Sequence, residues 1–185
     1  PSRTDVHEVV VTGPGAPEIT SLDGLASSKT RVHVRPSSSY FEHLEALNKA
    51  RKKAGKRGIR IEKADERLED YDLLDMVDKG VIPAVVVDSH MARLWSQIFD
   101  HIQVHENLVV HSGGSIAWAV RSNNPQLLAA VNGFVKTARE GTLLGNMLAR
   151  RYLEKSSWME NVLSGNSMEK YRQTIGVIRR YADQY

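Results

Sequence analysis

The chain has 185 residues, 41% of them hydrophobic and 25% charged, with a formal net charge of +3. That is enough apolar material for one ordinary domain or two small ones, too little bias for disorder, and too weak a charge for a nucleic-acid footprint. With no cysteine, disulfides, thiolate chemistry and cysteine–zinc sites are excluded. No secretory leader opens the sequence and no apolar run is long enough to span a bilayer. Because the first residue is Pro1 rather than Met, a processed or trimmed product is expected.

The stretch from His7 to Val11 reads as a strand, stopped by GPGAP, and a short helix follows at SLDGLA. Arg31 to Arg35 alternates as a strand, and Tyr40, Leu44 and Leu47 mark one face of a helix ending near Gly55. The basic run KARKKAGKR reads as the solvated end of that helix, with a phosphate or polyanion patch as the alternative. A short strand is expected from Gly58 to Ile61, a helix from about Glu66 to Lys79, and a buried strand from Ala84 to Val87 that enters a helix at Asp88. Strands that are apolar on both faces, alternating with helices, predict an α/β fold with a mainly parallel sheet covered by helices. LVVHSGG and SIAWAVR then read as two strands around Gly113 and Gly114. Two helices follow, the first opened by Asn124-Pro125 and carrying Leu127, Leu128, Val131, Phe134 and Val135 on one face. A last helix, from Met168 to Tyr185, is still helical where the sequence stops.

Two places carry binding chemistry. Ser37, Ser38 and Ser39 stand between a strand and a helix, where one hydroxyl caps the helix. The same geometry offers free N–H groups and extra donors to a carboxylate or phosphate, with Arg35 beside them, so capping alone and anion binding both stand. Asp88 lies at the carboxyl end of a buried strand, where parallel sheets bind ligands, and is either a helix cap or a partner for an ammonium. The seven histidines lack metal-ligand spacing, and no nucleophile, zinc or phosphate-loop motif is present. The acidic pairs Glu66/Asp70 and Asp72/Asp75 read as a helix's wet side. Neither a cofactor nor a catalytic residue is expected. The residues describe a binding domain.

Taken together, VHVRPSSSYFEHLEAL, LLDMVDKGVIPAVVVDS and IAWAVRSNNPQLLAAVNGFVKTAREGTLLGNMLARRYL resemble the family 3 extracellular solute-binding proteins, in which two α/β lobes close on a ligand. The tail from Trp158 to Tyr185 is similar to the connector in proteins that fuse such a domain to a lytic murein transglycosylase of the membrane-bound F type. The resemblance implies a division into a first crossing strand and linker (1–24), a complete second lobe (25–107), a second crossing (108–121), the C-terminal part of the first lobe (122–153) and a connector (154–185) toward a catalytic module. It matches Ser37 and Ser38 to the hydroxyls that hold a ligand carboxylate, and Asp88 to the aspartate that holds its ammonium. A glycine commonly precedes those hydroxyls, and Pro36 stands in its place.

The expected function is therefore a regulatory module of a peptidoglycan lytic transglycosylase. It would sense an amino acid or short murein peptide in the periplasm or at the outer membrane, touching peptidoglycan through the fused module. The fragment itself would not be an enzyme. The alternative is a stand-alone periplasmic amino-acid receptor of an ABC importer. A structural spacer and a regulator effector domain of the LysR type are the remaining readings. Nucleic acid is not expected as a partner, and the apolar faces of 124–139 and 141–153 are expected to pair with a second copy.

Overall fold

The computed structural model describes residues 2–152, so the connector expected over 154–185 lies outside the described residues. In chain order the elements are β1 (Arg3–Thr12), α1 (Leu22–Ser28), β2 (Arg31–Val34), α2 (Ser39–Lys53), β3 (Arg60–Lys63), α3 (Asp70–Asp78), β4 (Ala84–Asp88), α4 (Ser89–Trp95), β5 (Gln103–Ile116), α5 (Pro125–Ala138) and α6 (Leu143–Tyr152). They build one five-stranded sheet in the order β3-β2-β4-β1-β5. β3, β2 and β4 are mutually parallel, and β1 runs antiparallel between β4 and β5. Four of the five strands thus share one direction, as the mainly parallel sheet expected from the sequence requires.

The valine run of β1 is buried on both sides because the sheet is covered on both sides. Val10 joins Leu25 of α1 and Leu44 of α2 in one cluster, whereas Val9 and Val11 pack with Leu73, Leu74 and Val77 of α3 in the other. β4 splits in the same alternation, Val86 toward the first cluster and Val85 and Val87 toward the second. Each fully buried valine or leucine contributes about 1.5–3 kcal/mol relative to exposure, so this sandwich carries the stability of the sheet region. Gly13 lets β1 end tightly against α3, since a Cβ there would lie 2.0 Å from the Val77 carbonyl oxygen.

Side chains lock the loops on this frame. Asn48 imitates a neighbouring strand, accepting the Ile59 N–H at 2.7 Å and donating to the Ile59 carbonyl at 2.9 Å. Arg51, inside the basic run, is buried and holds both Asp23 and the Arg57 carbonyl.

Two boundaries differ from the sequence reading. α3 begins at Asp70, not Glu66, because Asp65 takes the Arg67 N–H and side chain in a tight turn and Asp72 accepts the Glu69 N–H at 2.8 Å. The two strands expected around Gly113 are one long strand ending at Ile116. Trp118 therefore lies beyond it, largely exposed, with its ring 5.9 Å from that of Phe134.

Candidate functional site

The three serines have three different partners. Ser38 is the N-cap of α2: its Oγ accepts the Phe41 N–H at 3.3 Å and donates to the Arg35 carbonyl at 2.7 Å. Ser37 gives its N–H (3.0 Å) and its hydroxyl (2.5 Å) to the two oxygens of Glu66. A carboxylate of the chain itself thus sits on the donors read as an anion site. Ser39 donates to Glu8 Oε1 at 3.2 Å.

Glu8 is the hub. It is a carboxylate only 5% exposed within the valine strand, and it accepts from His43 Nδ1 at 2.8 and 2.9 Å. The His43 ring stacks on His111 of β5 with centroids 3.7 Å apart. Across the sheet Glu8 faces Asp88, since the two are register partners of β1 and β4. Residues in such a direct pair share a face, so the start of α2 and the end of β4 meet through Glu8.

Tyr40 ties the same groups from the other side. Its hydroxyl donates to Asp70 at 3.1 Å and accepts the Asp88 N–H at 3.4 Å. Burial, together with Asp70 and Asp88, pushes its phenol well above the ordinary tyrosine range, so it remains a neutral donor. The Arg35 guanidinium turns to the start of α3, meeting Asp70 and Glu69 at 3.3 Å each, while its buried Nε has no partner.

Asp88 starts α4 without capping it, for its side chain makes no hydrogen bond to the first turn. Half-burial, then the charges of Glu8 and Asp70, push its carboxyl up to about 6, with Arg3 pulling the other way. A carboxylate crowded by two others and lacking a capping bond is a place where a cation gains energy. Around Asp88 and the start of α2 the described residues bring together hydroxyls, amides and carboxylates.

Arg35, Ser37, Ser38, Ser39 and Asp88 were the binding residues expected from the sequence, while Glu8, Tyr40, His43, Glu66, Asp70 and His111 were not singled out for this site. Glu8 did carry a signal, as a charge inside an apolar strand demands a partner. Glu66 and Asp70, read as a solvated face, instead hold Ser37, Arg35 and Tyr40.

No protein-family model matches the chain. Among solved structures it matches an ancestral arginine-binding protein bound to arginine, with a TM-score of 0.59 and 21% identity over 82% of this chain and 62% of that one. A binding component of an ABC transporter from Wolinella succinogenes, complexed with lysine, matches with a TM-score of 0.65 and 13% identity over 86% and 64%. A solute receptor for L-cysteine of Neisseria gonorrhoeae matches with a TM-score of 0.59 and 19% identity over 81% and 55%. The chain has the fold of a solute-binding-protein lobe. It spans less than two thirds of the length of each of these receptors.

These matches correct the main functional expectation. The similar structures are amino-acid receptors and transporter components, and none named here is the sensor of a lytic transglycosylase. The expected link to a transglycosylase, to peptidoglycan and murein peptides, and to the outer membrane is set aside in favour of the receptor reading. The feature that suggested the link, the tail beyond Leu153, lies outside the described residues.

Proposed function

We propose that this chain is the ligand-recognising part of a periplasmic amino-acid receptor that serves an ABC importer. The observation that carries the reading is the Asp88 carboxylate, uncapped at the end of β4, crowded by Glu8 and Asp70 and set beside the hydroxyl-rich start of α2. An α-ammonium neutralises Asp88. The α-carboxylate displaces Glu66 from the Ser37 N–H and hydroxyl, with Ser38 and Ser39 adjoining and Arg35 released from α3 to reinforce the anionic end. In this reading residues 25–107, completed by β1 running through the interior of their sheet, form one lobe, with 108–121 the return crossing and 122–153 a part of the other lobe, as in the family 3 solute-binding proteins. Half a cleft excludes less water than a closed one, so binding by the chain alone is weak. The direct test is calorimetry with L-arginine, L-lysine and L-glutamine on the wild type and on Asp88→Ala and Ser37→Ala. Loss of saturable heat in both variants supports the reading, and unchanged affinity in both overturns it.

The apolar residues exposed on α5 and α6 support a second copy as partner. Leu127, Leu128, Phe134, Leu143 and Met147 are all exposed, and no residue of α5 is buried. Light scattering that gives a monomer mass at high concentration would exclude this pairing.

A further inference from the structure

A cavity of about 940 Å³ opens between the start of β1, α4 and the turn joining α5 to α6, away from the serines. Glu8 points to the α1/α2 side of the sheet, where it meets Ser39 and His43. The cavity instead takes His7 from β1, with His90 and Arg93 from α4, the helix that packs with the α3 cluster through Ala92 and Trp95. Alternation along β1 therefore aims His7 and Glu8 to opposite sides of the sheet. Around the cavity β1 is irregular: its register slips between Arg3 and Glu8, and Asp5 adopts a left-handed φ of 58°. Such irregularities re-aim side chains.

The lining supplies more donors than its own acids use. Arg3 gives only Nε to Glu140, at 2.9 Å, which leaves both of its terminal amino groups. Arg139 has no ion pair among the described residues, whereas Arg93 is taken by both oxygens of Glu106. The Asp5 carboxylate is 81% exposed and only 3.9 Å from His7. The Nδ1 atoms of His7 and His90 are buried and have no partner. Those two nitrogens are turned away from the open space, so the donors that face it without an acceptor are the terminal amino groups of Arg3 and the Arg139 guanidinium. Burial, then Arg3, holds His90 down to about 4, so at neutral pH its ring is uncharged and can still donate one N–H.

We propose that this cavity is a second binding site, for a small molecule bearing a carboxylate or phosphate group, held by Arg3 and Arg139 with the rings of His7 and His90. The planar guanidinium forks suit a bidentate oxyanion, and the turn that carries Arg139 and Glu140 is drawn against the β1 strand by the ligand. The site thereby links α5–α6 to the sheet.

The test is a titration of inorganic phosphate and, separately, succinate into the full chain at constant chloride ionic strength, read from the histidine ring resonances by NMR. Saturable shifts at His7 and His90 are expected with at least one probe. The responding probe identifies the oxyanion. The His90 pKa should move upward, since the anion offsets the repulsion of Arg3 and Arg93; Asp5 and His7 on β1 and Glu140 on the turn are the other charged groups facing it. Arg139→Gln, at an exposed position, should weaken the apparent affinity about tenfold or more. Ser37→Ala should leave it unchanged, since Ser37 is uncharged and bonds only Glu66, which separates this site from the amino-acid reading. The proposal fails if neither probe saturates, or if Arg139→Gln and Arg3→Gln both titrate like the wild type.

Discussion

The sheet region and the α5–α6 pair use the same kinds of residues to opposite effect. In the first, Val9, Val10, Val11, Leu44 and Leu74 are at most 1% exposed because helices cover both faces of the strands. In the second, Leu143 is 81% exposed and the only buried residue of α6 is Gly145. Leu44 of α2 and Leu74 of α3 in the first, and Leu143 of α6 in the second, all occupy apolar positions of amphipathic helices. The pattern states which face seeks a partner, but only the number of neighbouring elements decides whether the chain provides one. The sheet region buries its apolar faces among the described residues, whereas α5 and α6 leave much of theirs exposed.

Core truncations should divide the two regions most sharply. Leu74→Ala or Leu44→Ala, each fully buried, should cost about 2–5 kcal/mol in urea unfolding. Leu143→Ala should change it by less than about 0.5 kcal/mol. Equal costs would mean that α5–α6 shares the main core. A smaller, local effect is expected at Gly145, where a Cβ would lie 1.8 Å from the Arg139 carbonyl oxygen. Gly145→Ala should open the α5–α6 pair by about 1–3 kcal/mol, seen as faster amide exchange over 125–152 with the sheet amides unchanged.

The contrast also explains what could be read in advance. The strand–helix alternation, the doubly buried valines and a cap by one of Ser37 to Ser39 follow from local pattern, so they were legible, and tertiary contacts then choose Ser38. The α3 start was not, because Asp65 and Asp72 redirect the backbone through side-chain bonds that periodicity does not register. The site was half legible: Asp88 and the serines sit at strand and helix ends, where chemistry is expected. Glu8, Glu66 and Asp70 arrive there by tertiary pairing, and Glu66 reaches Ser37 across 29 residues of chain. The expected transglycosylase link rested on the tail, which no described residue supports.

The smallest expected effect lies in the site's own stability. The folded chain holds the Asp88 proton up to about pH 6, whereas its ordinary value is 3.8. The folded state therefore binds more protons across that window, and stability falls as pH rises through it. Asp88→Asn should remove that fall and stabilise the ligand-free protein by about 1 kcal/mol at pH 7.5, a figure reduced for the half-exposed position. The gain should vanish below about pH 4. Thermal unfolding at the two pH values checks it, and a variant that is less stable at pH 7.5 would mean that Asp88 already has its cation within the chain.

The most direct test of the account concerns the ligand's ammonium. An isotope-edited NMR titration of the full chain with L-arginine should shift the amides of Ser37, Ser38 and Asp88 saturably, while N-acetyl-L-arginine, which keeps the carboxylate and the side chain but loses the ammonium, should leave Asp88 unmoved. Saturation by both compounds with equal affinity, or unaltered L-arginine binding in Asp88→Ala, would contradict the assignment of Asp88 as the ammonium partner.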